Sequence, residues 1–111
     1  VPEPVRVTLL YNATCPSHEA GRALLEAASE AAGVALAVEE REVTADAEAE
    51  ALRFPGSPTF HAGGDDLLPG AEGPFRWDAC RAYARPDGRI APLPALEQLA
   101  DALRAAAKET E

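Results

Sequence analysis

The first strongly apolar stretch, Val5-Arg6-Val7-Thr8-Leu9-Leu10-Tyr11, is rich in β-branched residues and does not alternate cleanly. That pattern predicts a strand buried on both faces. After the short turn Asn12-Ala13-Thr14 the period changes, and a helix is expected from the Cys15-Pro16-Ser17-His18 segment onward. Ala20, Leu24, Ala27, Ala28 and Ala31 recur at helical spacing, with Leu25 and Ala32 widening the stripe. Glu19, Arg22, Glu26 and Glu30 take the wet side, and Gly33 supplies the helix end. Val34, Leu36 and Val38 then share one face of a second strand, which turns polar from Glu39 to Val43 as an edge does.

Ala45 to Leu52 predicts a short helix, capped by Thr44 or Asp46. Phe54-Pro55-Gly56-Ser57-Pro58 is a tight turn, and Thr59-Phe60-His61-Ala62 a third strand closed by Gly63-Gly64. The segment from Asp65 to Asp78, with Pro69, Gly70, Gly73 and Pro74, is irregular and long for a loop. Cys80-Arg81-Ala82-Tyr83 reads as a last strand, with a helical turn as the alternative. Pro86-Asp87-Gly88 is a turn. Beyond Pro92 and Pro94, the stripe Leu96, Leu99, Ala100, Leu103 and Ala107 predicts a final helix. This order predicts one α/β domain over 1–111, with a central mixed four-stranded sheet flanked by about three helices. Pairing is expected to be parallel early, through a right-handed crossover, and antiparallel late.

Apolar residues make up 47% of the chain, much of it alanine, so the core must rest on the few large side chains. These are Leu9, Leu10, Leu24, Leu25, Leu36, Leu52, Phe54, Phe60, Trp77, Tyr83, Leu96, Leu99 and Leu103, with Trp77 expected as a lid. The net charge of −9 argues against nucleic acid and against an anionic membrane surface as partners. No apolar run is long enough to span a bilayer. Val1-Pro2-Glu3-Pro4 has neither the basic nor the apolar region of a signal peptide. Two widely spaced cysteines do not make a secreted disulfide framework, so a cytoplasmic setting is expected.

Cys15 is the strongest chemical candidate. It follows a buried strand and precedes a helix, where backbone N–H groups and the helix dipole favour a thiolate. The alternative is a small hydrophobe filling the turn. No cofactor is called for by any motif, and nothing matches a phosphate loop or a Ser-His-Asp set.

A strand, then Cys15-Pro16 at a helix start, then Gly56-Ser57-Pro58-Thr59 at the head of a later strand, resembles the thioredoxin superfamily. With Cys80-Arg81-Ala82-Tyr83, the chain is similar to short bacterial thioredoxin-like proteins, some of which carry mercury-related labels. The resemblance implies a thioredoxin fold and a thiol–disulfide oxidoreductase acting on a protein or small-molecule thiol or disulfide. It implies that Cys15 is the nucleophile and that Pro58 is cis and lies against it. Pro16, Ser57 and Pro58 would then line the substrate groove, with Ser57 offering backbone groups to the substrate. The chain departs from the Cys-x-x-Cys pattern of that family, because His18 stands where a resolving cysteine is expected. Cys80 is either the resolving thiol or a structural cysteine. An external thiol such as glutathione is a second route to resolution, with His18 tuning Cys15 or standing as an exposed polar residue. Cys15, His18, His61 and Cys80 also form a possible zinc set, and the two thiolates suit soft Hg or Cu. A non-catalytic module binding such a metal, or a protein partner, is therefore the competing expectation.

Overall fold

The computed structural model describes residues 3–70 and 74–110. Strand β1 (Val5–Tyr11) leads to helix α1 (His18–Ala32), strand β2 (Leu36–Glu42) and helix α2 (Asp46–Leu52). Strands β3 (Thr59–Ala62) and β4 (Asp65–Asp66) follow, then β5 (Tyr83–Ala84), β6 (Ile90–Ala91) and helix α3 (Leu96–Thr110). The main sheet has the order β2-β1-β3-β4. β1 and β2 are parallel, as a crossover through α1 demands, while β3 runs antiparallel to both β1 and β4.

The alternation along β1 divides the core. Val5, Val7 and Leu9 point to one face, where they meet Leu25 and Ala28 of α1, Phe60 of β3, and Leu99, Ala100 and Leu103 of α3. Leu10 points to the other face, into a smaller cluster with Val43, Ala49 and Phe54. Trp77 and Phe75 pack over that second cluster, so Trp77 is the lid expected of it. The layers are α1 and α3, then the sheet, then α2. Among the described residues no helix is long and apolar enough to cross a membrane.

Three expectations are corrected. The fourth strand of the main sheet is Asp65–Asp66, inside the segment read as irregular, and not the Cys80–Tyr83 segment. The cause is the Gly63-Gly64 turn, where both residues take positive φ (62° and 84°) and fold the chain straight back. Tyr83–Ala84 pairs instead with Ile90–Ala91 in a separate ribbon. Residues 71–73 of the irregular segment, Gly73 among them, lie outside the described residues. Second, α2 has Ala45 at its N-cap with no side-chain cap. Asp46 is diverted, since its Oδ1 accepts the Trp77 backbone N–H at 3.1 Å, and Glu48 accepts the Thr44 N–H at 3.0 Å. Third, α1 begins at His18, so Cys15 and Pro16 lie in the turn before it. Gly33 does end α1, in the left-handed conformation.

Candidate active site

The chain leaves β1 at Tyr11 and turns on Asn12, which is fully buried. Its Oδ1 accepts the Thr14 N–H (3.1 Å), the Thr14 hydroxyl (2.9 Å) and the Cys15 N–H (2.8 Å). Its Nδ2 donates across 67 positions of sequence to the Ala79 carbonyl at 2.8 Å. One amide therefore ties the Cys15 turn to the segment that carries Cys80. Read from the sequence alone, Asn12 was only part of a turn. The Asn-x-Thr spacing is the local half of its signal, while the Ala79 half is set by tertiary structure.

Cys15 is buried, with 4% of its surface exposed, and its thiol donates to the Ser57 carbonyl at 3.5 Å. The Ser57–Pro58 bond is cis. Residue Ser57 also forms a parallel bridge with Cys80. In that bridge the Ser57 N–H donates to Ala79 at 2.9 Å, and the Arg81 N–H donates to Ser57 at 3.0 Å. So Cys15 and Cys80 both neighbour Ser57, and both are free thiols. Cys80 itself is exposed.

The alternation of the Cys80-Arg81-Ala82-Tyr83 segment explains this placement. Arg81 and Tyr83 point inward and are buried, while Cys80 and Ala82 point outward. The Arg81 guanidinium donates to Asp66 (2.7 Å), to the Leu68 carbonyl (2.5 Å) and to the Thr59 hydroxyl (3.3 Å). It also lies over the Tyr83 ring, 4.3 Å from the centroid. The Tyr83 hydroxyl donates to the Pro58 carbonyl at 2.5 Å. Gly56 permits the close approach, because a Cβ there would sit 2.5 Å from the Arg81 nitrogen.

The two thiols titrate apart. Burial pushes the Cys15 thiol up, but the neighbouring Cys80 thiol and the polar groups of Ser17 and Ser57 outweigh it. The net effect lowers Cys15 below its ordinary value. Cys80 is pushed up to about 11, first by its hydrogen bond to Cys15, then by burial and by the Cys15 charge. The pair therefore gives up its first proton at Cys15, and Cys80 stays a thiol.

The remaining sequence candidates fall as follows. Pro16 is exposed in the turn before α1. The His18 ring stacks on Tyr11 at 3.6 Å and places Nε2 2.5 Å from Glu40 of β2. Arg22 also binds Glu40, at 2.7 Å, and holds that carboxyl below the usual carboxylate range. His18 is thus drawn toward β2. His61 is buried in β3, where it pairs with Thr8 and Asp66 across the sheet. The four-residue zinc set is not assembled, and among the described residues no group of three or more His, Cys, Asp and Glu can hold a metal ion. The backbone groups of Ser57 are bonded within the chain, its N–H to Ala79 and its carbonyl to the Arg81 N–H and the Cys15 thiol.

Comparison of the chain with known protein families, with curated proteins and with solved structures finds no match.

Proposed function

We propose that this protein is a thiol–disulfide oxidoreductase with a thioredoxin-like fold, in which Cys15 and Cys80 cycle between a dithiol and an internal disulfide. The observation that carries this reading is the meeting of two cysteines, 65 positions apart, at Ser57 with split acidities. A nucleophilic thiolate next to a protonated partner is what thiol–disulfide exchange requires. The parallel β1–α1–β2 unit, the antiparallel β3–β4 hairpin and the closing α3 support the fold assignment. A reducing compartment such as the cytoplasm suits a chain whose only two cysteines are both at one site.

The test is oxidation of the purified protein with a small disulfide, followed by thiol counting and mass measurement. Loss of both thiols with no added mass is expected, and Cys15→Ser should abolish both this and catalytic turnover of a disulfide. Two thiols that survive oxidant, or reductase activity that survives Cys15→Ser, would overturn the reading.

A second reading rests on the same pair of thiols, which has no third His, Cys, Asp or Glu ligand beside it among the described residues. Two thiolates alone suit a two-coordinate soft cation such as Hg(II) or Cu(I), held without turnover. Stoichiometric retention of such an ion by a protein that forms no internal disulfide would favour it.

A further inference from the structure

We propose that exchange enters the site at Cys80 rather than Cys15, and that the substrate is a low-molecular-weight thiol rather than an extended peptide. This rests on the dithiol reading above and assigns roles within it.

Access is the first argument. Cys15 is 4% exposed and lies against the Ser57 carbonyl, whereas Cys80 is on the outward face of its segment. In a Cys15–Cys80 disulfide, the sulfur a solvent thiol can reach in line is that of Cys80. The leaving group is the second argument. Exchange is faster when the departing sulfur is the better thiolate, and Cys15 keeps the Ser17 and Ser57 groups that favour its charged form when Cys80 is in the mixed disulfide.

The electrons follow one path. An incoming thiolate attacks the Cys80 sulfur, a new S–S bond forms, and the Cys15–Cys80 bond breaks with its electron pair on Cys15. A second thiolate attacks the substrate sulfur of the mixed disulfide, releasing the substrate disulfide and leaving the electron pair on Cys80. Two thiols are oxidised to one disulfide and the protein disulfide is reduced. Of the two thiol protons, one ends on Cys80 and the other goes to Cys15 or to solvent according to pH. A low-molecular-weight disulfide runs the same steps backward to restore the oxidised protein.

The substrate class follows from Ser57. A peptide docks beside a reactive cysteine by strand pairing, which needs a free backbone N–H and C=O. Here both groups of Ser57 are bonded to Ala79 and Arg81. The Arg81 side chain, sunk among Thr59, Asp66 and Leu68, and the Asn12 amide on Ala79 hold that segment in place. The chain's own Cys80 segment thus fills the pairing edge.

The experiment exposes fully oxidised wild-type protein to limiting glutathione, quenches with acid and maps the mixed disulfide by peptide mass. Glutathione is expected on Cys80 over Cys15 by at least about tenfold, given the sensitivity of exchange to access. In parallel, Cys15→Ala should trap a single glutathione from glutathione disulfide on Cys80 and stop there, one equivalent without turnover, with circular dichroism reporting that it is folded. Adducts on Cys15, or shared evenly, would overturn the entry site. A cysteine-containing extended peptide that reacts about tenfold faster than glutathione at equal thiol acidity would overturn the substrate class. Absence of any internal disulfide is a different result, and it would sink the dithiol reading itself.

Discussion

Replacing Cys80 by alanine isolates what one thiol does for the other. A hydrogen bond to a thiolate favours the charged form, so its loss raises the Cys15 pKa. In Cys80→Ala the rise of thiolate absorbance, and of alkylation rate with pH, should move to higher pH than for Cys15 in wild type. A profile that stays put would mean that Ser17 and Ser57 alone depress the Cys15 pKa. At this scale the sequence singled out candidate residues and showed little about what surrounds them. Cys15 and Ser57 stand out because Cys-Pro and Ser-Pro are local signals. Asn12 and Arg81 do not, and the partner of His18 is not visible either, because each finds its partner far along the chain. Asn12 reaches Ala79, Arg81 reaches Asp66 and Thr59, and His18 reaches Glu40. His18 was read either as a tuner of Cys15 or as an exposed polar residue, and neither reading included the Tyr11 ring and the Glu40 carboxylate that it meets.

Among the elements, those with a full period of pattern were legible: β1, α1, β2, β3 and α3. β4 was not, because two aspartates carry no strand pattern and are recruited only by the Gly63-Gly64 turn in front of them. The Cys80-bearing segment was misassigned for a related reason. Its inward Arg81 and Tyr83 look like a strand of the main sheet, yet it meets Ser57 in a single bridge before pairing with β6. That bridge depends on the bare backbone of Gly56. Gly56→Ala would put a Cβ 2.5 Å from the Arg81 nitrogen and 2.7 Å from the Cys80 carbonyl carbon. Since backbone on both sides must move, a loss of about 2 kcal/mol or more is expected in urea unfolding. Internal disulfide formation should slow in the same variant. Wild-type stability together with wild-type oxidation rate would contradict the close approach.

Over the whole molecule, the apolar pattern was enough to predict an α/β domain with three helices around a four-stranded mixed sheet. The division of the core was less visible. Leu9 and Leu10 are neighbours in sequence, but the pleat of β1 sends them to opposite clusters. Nor did the pattern show that the chain's two cysteines, from its first and last thirds, meet at one residue of its middle.

That long separation links redox state to folding. A disulfide between cysteines 65 positions apart closes a loop worth about 4 kcal/mol of denatured-state entropy, against about 2 for a four-residue motif. The oxidised protein should therefore melt at a clearly higher temperature than the reduced one, and equal Tm values would contradict this. The cycle closes the other way as well. Whatever oxidation adds to the folded state, folding adds to the oxidised thiols, so the native disulfide should resist reduction more than the same pair in urea. The fold itself thus helps to set the poise of the couple, and variants that loosen the Asn12 or Arg81 anchors should shift it toward easier reduction.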